Sequence, residues 1–191
     1  MKERGFDVDH STIHRWVLHY TPQLEQAFHR KKKRPNPRWR LDETYVKVKG
    51  QRRYYYRTVD KQGNTIDFLL TAKRDKKAAL RFLTKAIGRN GKPSLINIDK
   101  SGANKSGINA YNKATHRRVI IRQCKYLNNV VKQDHRFIKR KTKQVLCFKN
   151  FQAAQKNLAG IELIRMLKKG QMKGNCSGTL SPAEQFYALA A

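Results

Sequence analysis

The chain has 191 residues, enough for one core of ordinary domain size plus a small appendage. Its 43 Lys and Arg outweigh 13 Asp and Glu to leave a formal charge of +30, a self-repelling balance that calls for a polyanion; nucleic acid is the expected partner, and membrane docking is disfavoured because no strongly apolar helix face accompanies the charge. Cys124, Cys147 and Cys176 have neither the spacing of a disulfide framework nor that of a zinc knuckle, "MKERGFDVDH" lacks a signal-peptide core, and no apolar run reaches membrane-span length, so a soluble, intracellular protein with reduced thiols is expected.

"VDHSTIHRWVLHYTP" offers Ser11 as a helix cap, puts Ile13, Trp16 and Val17 on one stripe, and ends at the pre-proline Thr21. Ser11, Thr12, His14 and Arg15 then project elsewhere, as on a helix that reads DNA; a terminal amphipathic helix packed on the main domain fits these residues equally well. His10 and His14 share a helix face, but no third ligand stands near, so a metal role is set aside. The basic run Arg30, Lys31, Lys32, Lys33 and Arg34, followed by Pro35 and Pro37, predicts a linker able to grip phosphates.

From Trp39 the period becomes two. "LDETYVKVKG", "RRYYYRTVD" and "TIDFLLT" predict three antiparallel strands, with turns at Gly50-Gln51 and "KQGN". Tyr54, Tyr55 and Tyr56 are expected to pack across strands rather than stack on bases. "RDKKAALRFLTKAIG" switches to helical spacing, capped by Asp75, burying Ala79, Phe82, Leu83, Ala86 and Ile87, and stopping at Gly88. A strand "SLINID", a weak helix near Asn109 to Lys113, a strand "RVIIR", a helix around "NNVVKQDHRFIKRK" and a long helix "FQAAQKNLAGIELIRMLKKG" follow, with a loose tail from Gln171. This order predicts an α/β fold with helices on both faces of a mixed sheet, the ribonuclease-H-like order. The expected division is a partial helix-turn-helix segment over 1–29, a basic linker over 30–38, the core over 39–170 and the tail over 171–191.

The scarcity of acids sharpens their reading. Strand alternation turns Asp42 inward with Val46 and Val48, whereas Glu43 shares its face with Lys47 and Lys49. Asp99 closes an apolar strand where the chain leaves the sheet, the place at which open α/β sheets put their ligands. Two acids on neighbouring strand ends could hold a divalent cation. Asp60 and Asp67 read as turn and strand-surface acids.

The blocks "VDHSTIHRWV", "WRLDETYVKVKG", "YYYRTVDKQGNTIDFLL", "NIDK", "KYLNNVVKQDHRFIKR" and "GIELIRMLKKGQ" resemble, in order, consecutive motifs of the DDE transposases of short bacterial insertion sequences, the insertion-sequence-six type. The resemblance spans about Val8 to Gln171. It implies an integrase-like catalytic core, DNA strand cleavage and transfer, and two divalent metals, Mg²⁺ or Mn²⁺, held by three acids. It also implies double-stranded DNA partners (terminal inverted repeats and target), a homodimer or higher oligomer on DNA, and a bacterial, nucleoid-associated cytoplasmic location. Asp42 and Asp99 match the first two acids of the triad. The third is a glutamate within "NN-x-x-E-x-DH", where this chain has Lys132 amid matching Asn128, Asn129, Asp134 and His135.

Asp134, two residues on, is turned by about 200° on a helix and faces away. Two unit charges about 4 Å apart at an effective dielectric near 20 interact by roughly 4 kcal/mol, so an ammonium beside a divalent ion is penalised further. Family members carry further helices before the segment matching "VDHSTIHRWV", so a truncated or decayed copy is expected. Two functions follow: a catalytically impaired transposase, and, as the alternative, a dead DNA-binding protein that occupies transposon ends or inhibits intact transposase. Lys139, Arg140 and Lys141 join the residues expected on DNA.

Overall fold

The computed structural model describes residues 5, 7–116, 118–144, 148–173 and 180–190. Cys147 and Cys176 lie outside them, and Cys124 is a free, half-buried thiol. The chain forms two compact units, Arg34–Lys149 and Met1–Lys33 with Asn150–Ala191. This division differs from the expected one.

The larger unit contains β1 (Arg38–Val48), β2 (Gln51–Asp60), β3 (Thr65–Thr71), α2 (Lys76–Asn90), β4 (Leu95–Ile98), α3 (Gly102–Thr115), β5 (Ile120–Gln123) and α4 (Asn129–Gln144). Sheet order is β3-β2-β1-β4-β5, with β1–β2 and β2–β3 antiparallel and β1–β4 and β4–β5 parallel. That is the mixed ribonuclease-H-like sheet. The first hairpin turns on Lys49 (φ 49°) and Gly50 (φ 73°), one residue earlier than expected, because a two-residue turn matching the strand twist needs positive φ at both central positions.

Alternation sorts the two faces. Trp39, Leu41, Tyr56, Ile96 and Ile98 meet Ala79, Phe82, Leu83 and Ala86 of α2 and Ile108 and Tyr111 of α3 in the main core. Burying each of the larger side chains contributes about 1.5–3 kcal/mol. At Gly107 the α2 and α3 backbones come so close that a Cβ would lie 2.7 Å from that of Ala79. Asp42, Val46 and Val48 point to the other face, where α4 packs with Val131 and Ile138 fully buried. Tyr55 and Tyr56 are core residues, and Tyr56 lies against Phe82 at 5.7 Å between ring centres.

Several local expectations are corrected. Helix α2 runs past Gly88 to Asn90 and is closed by Gly91 at φ 83°, which frees the cap from the Cβ penalty. Helix α3 is 14 residues long, because Ser101 caps it well before the weak stretch seen in sequence. Asp67 is not on the surface; it is fully buried, 3.0 Å from Lys85 Nζ of α2. Asp60 is also buried, accepting from the Gln62 and Asn64 amides in the β2–β3 turn (2.9 Å each).

In the smaller unit, α1 (His10–Lys31) packs on α5 (Phe151–Lys168), and α6 (Pro182–Ala190) touches both. Asp9, not Ser11, caps α1. The helix does not end at Thr21. Pro22 lies inside it, and the missing N–H is tolerated because Thr21 and Phe28 are buried, Thr21 against Gly160 of α5. The tail carries α6, started by a reciprocal capping box: the Ser181 amide donates to Glu184 Oε2 (2.7 Å) and the Glu184 amide to Ser181 Oγ (3.3 Å). "SPAE" was the signal for it.

Candidate active site

Parallel pairing of Arg40 with Asn97 carries forward by two residues on each strand to set Asp42 of β1 beside Asp99, the residue after β4. The two act on each other electrostatically, and Lys132 of α4 acts on Asp42 with the opposite sign. Asp99 and Lys132 thus both lie within electrostatic reach of Asp42.

Asn128, fully buried in the 3-10 turn that leads into α4 (Tyr126–Asn128), ties the strands there. Its Nδ2 donates to the Leu41 carbonyl (3.0 Å), immediately before Asp42, and its Oδ1 accepts from Asn97 Nδ2 (2.6 Å), two residues before Asp99. Asn97 Nδ2 also donates to the Cys124 carbonyl at 2.9 Å. One amide side chain therefore fixes α4 against both acid-bearing strands. Sequence reading did not find this role, although an asparagine inside the apolar run "LINI" was a hint that a partner lay across it.

Two turns along α4, His135 Nδ1 lies 3.8 Å from Asp42 Oδ2. The pair is not a salt bridge. Burial, then the charges of Arg57 and Lys139, push His135 down to about 3, so its imidazole is neutral. Burial, then the neighbouring Glu43 and Asp99 carboxylates, push Asp42 up to about 7. Asp42 is 6 % exposed, and its Oδ1 accepts the Glu43 amide at 3.0 Å. Asp134 does not turn to solvent: it is buried, its Oδ2 3.4 Å from Nη2 of the fully buried Arg57, the cross-strand neighbour of Asp42.

Glu43 departs from the expectation of a strand face shared with lysines. Its side chain is buried, ion-paired with Arg74 and accepting from Asn104 Nδ2 at 2.6 Å. Arg74 continues to Ser101 Oγ (3.2 Å), and the Ser101 amide donates to Asp99 Oδ1 (2.9 Å). The loop after β4 is thus braced from both sides of β1.

The donor set does not fit two metal ions. Among the described residues no three His, Cys, Asp or Glu side chains form a metal-holding group. The third position is an ammonium, which has no oxygen to offer a metal.

The candidate DNA contacts fall in several places. Ser11, His14 and Arg15 are exposed on α1 and Thr12 partly so; Arg15 donates to Thr12 Oγ1 (3.0 Å), and Ser11 is engaged by Asp9. The run 30–34 is not a free linker. Arg30 and Lys31 belong to the last turn of α1, and Lys31 and Lys33 donate their ammonium protons to the Ala188 and Gly170 carbonyls (2.8 and 2.9 Å). Lys32 is buried and bridged to Met172, whereas Arg34 is exposed. Lys139, Arg140 and Lys141 are exposed on α4. Lys139 stands over Tyr45 at 4.8 Å and Arg140 over Phe137 at 5.9 Å.

A family profile described as a DDE domain matches residues 36–171. The transposase of the insertion-sequence-like element IS431mec from Staphylococcus aureus strain N315 is 36% identical over 193 residues, covering 100% of this chain and 84% of that protein. The transposase of IS257 in transposon Tn4003, also from Staphylococcus aureus, gives the same identity and coverage. The HTLV-2 integrase catalytic core, solved with magnesium in a trimeric form, superposes with a TM-score of 0.54 at 17% identity, covering 80% of this chain and 97% of that one. The BIV integrase catalytic core gives 0.52 at 14%, covering 80% and 95%. Those cores share the fold that sets Asp42 beside Asp99. With the profile and the full-length relatives, this chain belongs to the DDE-domain transposases of bacterial insertion sequences, the insertion-sequence-six type.

Proposed function

We propose that this transposase binds DNA but is severely impaired in strand cleavage and transfer. Lys132 carries the reading. It lies on α4 between Asn128, bonded to the strands of both acids, and His135, against Asp42. An ammonium there cannot donate an oxygen to Mg²⁺ or Mn²⁺, and Asp134 is retained by Arg57. Asp42, Asp99 and Lys132 form the remnant of the site, and no metal-dependent step is built on it.

The partner is double-stranded DNA, at transposon ends and target, bound as a dimer or larger assembly in the bacterial cytoplasm on nucleoid DNA. The net charge of +30 and the bacterial transposase relatives support this, and no helix among the described residues is long and apolar enough to cross a membrane. The second reading, occupancy of transposon ends or inhibition of intact transposase, is favoured by the same lysine together with the exposed basic side of α4.

Purified protein incubated with a terminal-inverted-repeat duplex, a target duplex and Mg²⁺ or Mn²⁺ is expected to yield no efficient strand transfer. Efficient transfer refutes the impairment. End-specific binding without cleavage favours occupancy, whereas equal affinity for every duplex reduces the interaction to charge.

A further inference from the structure

We infer that Lys132 is the resident cation of this site, seating a DNA backbone phosphate beside Asp42 and Asp99 without any divalent ion. The inference deepens the impaired-catalysis reading and rests on it.

The geometry of α4 supports it. Asn128, in the 3-10 turn that leads into α4, and His135, on α4, bracket Lys132, and both have contacts with the acid-bearing strands: the Leu41 carbonyl and Asn97 for the first, Asp42 for the second. Lys132 follows Asn128 by four residues, about one turn, and precedes His135 by three. It therefore stands where the buried side of α4 meets its solvent side, and it is half-exposed. A lysine there can lay its stem along the helix and present its ammonium to an incoming ligand while its charge acts on Asp42 and His135.

The ligand is defined by what surrounds that ammonium. Arg136, Lys139 and Lys143 follow Lys132 at four, seven and eleven residues, one helical stripe of roughly 16 Å, and all three are exposed. Tyr45 of β1 braces the stripe, with Lys139 over its ring at 4.8 Å and Arg52 also at 4.8 Å. A row of cations ending beside two carboxylates suits a chain of phosphates whose terminal member rests on Lys132. It does not suit a metal, because the third position offers an ammonium in place of an oxygen donor. Lysine binds phosphate as a point charge and needs no third oxygen donor.

The test uses the full chain and a fluorescein-labelled duplex of arbitrary sequence, followed by anisotropy in EDTA over a NaCl series. Binding by the unaltered protein is expected in EDTA. Lys132→Gln is expected to weaken it several-fold at fixed salt and to lower the slope of log affinity against log salt by about one. Lys132→Arg keeps the cation and the slope. Lys113→Gln, exposed on α3, removes the same net charge and leaves the slope unchanged. Circular dichroism melting establishes that each variant is folded. In parallel, Mn²⁺ titrated into the unaltered protein and followed by paramagnetic resonance is expected to remain free.

Stoichiometric Mn²⁺ binding by the unaltered protein, or an unchanged salt slope in Lys132→Gln, overturns the inference. Efficient strand transfer by the unaltered protein instead refutes the impairment reading. Silence in that assay with an unchanged slope overturns the phosphate seat alone.

Discussion

Replacing Asn128 by leucine should loosen the acid-bearing strands from α4. Leucine is close in size, but it removes the 3.0 Å bond to the Leu41 carbonyl and the 2.6 Å bond from Asn97 Nδ2. Losing a donor at a buried carbonyl costs about 1–3 kcal/mol. Asn97 Nδ2 keeps the Cys124 carbonyl at 2.9 Å, so its loss is nearer about 1 kcal/mol. The expected destabilisation is therefore about 2–4 kcal/mol, within the 5–15 kcal/mol typical of a domain, so the variant still folds. Urea unfolding at a fixed pH measures it, and a double-mutant cycle with Asn97→Ala isolates the shared bond, expected at about 1 kcal/mol of coupling. Asn112→Leu is the comparison, since Asn112 bridges both backbone groups of Val119 (2.9 and 3.0 Å) without touching either acid-bearing strand. Amide exchange at Leu41 to Glu43 should accelerate in the Asn128 variant and not in the Asn112 variant. A loss below about 0.5 kcal/mol with no coupling to Asn97 would refute the clamp.

Three further predictions follow from the same geometry. Asp42, raised from 3.8 unfolded to about 7, gives stability fully present below about pH 4 and lost as pH rises to about 7; His135, lowered from 6.5 to about 3, gives stability fully present above about pH 6.5 and lost as pH falls. These opposite slopes, each about 1.4 kcal/mol per pH unit, offset one another between about pH 4 and 6.5, so Asp42→Asn should lose about 3 kcal/mol on acidification across that window while the unaltered protein changes little; identical urea profiles across that window would contradict this. Gly107→Ala drives a Cβ to 2.7 Å from Ala79 Cβ and 3.2 Å from the Leu80 amide nitrogen, so the α2–α3 pair must part, and a net loss of about 1–2 kcal/mol after the helix-propensity gain should lower the melting temperature by several degrees, whereas an unchanged or higher melting point would mean the helices separate at no cost. Lys132→Glu restores a third carboxylate, so Mn²⁺ should raise its melting temperature and leave that of the unaltered protein unmoved; equal responses would mean that residue 132 does not face the acids.

The period-two runs, the helical stripe of α2, the inward-facing Asp42 and the strand-ending Asp99 were legible in sequence, because burial of alternating or stripe-spaced apolar residues is a local pattern that the fold only has to satisfy, although Asp42 lies in the middle of β1 rather than at its end. Lys132 was legible as well, since a lysine among otherwise matching residues needs no coordinates to be seen. Other features were decided in three dimensions. The fate of Pro22 depended on what α1 packs against: burial of Thr21 and Phe28 kept the helix intact through a residue that by itself stops one. The basic run from Arg30 reads as open charge, yet Lys31, Lys32 and Lys33 are drawn into the fold by carbonyls and a bridge about 140 to 160 positions away.

The acids show the same division. Strand alternation gives the direction of Asp42 and Glu43 but not what waits on each face. Arg74 and Asn104 received Glu43, Lys85 received Asp67, and Arg57 received Asp134, each from a different element. The sequence by itself determined which chemistry this chain could attempt, through its charge, its two aspartates and the lysine at 132. Only the tertiary structure decided that Asn128 would tie α4 to both strands, that His135 would meet Asp42 as a neutral ring, and that Asp134 would be occupied. The physical reason is that a buried polar group must find its partner wherever the chain brings one, and that pairing is set by long-range packing rather than by neighbours in sequence.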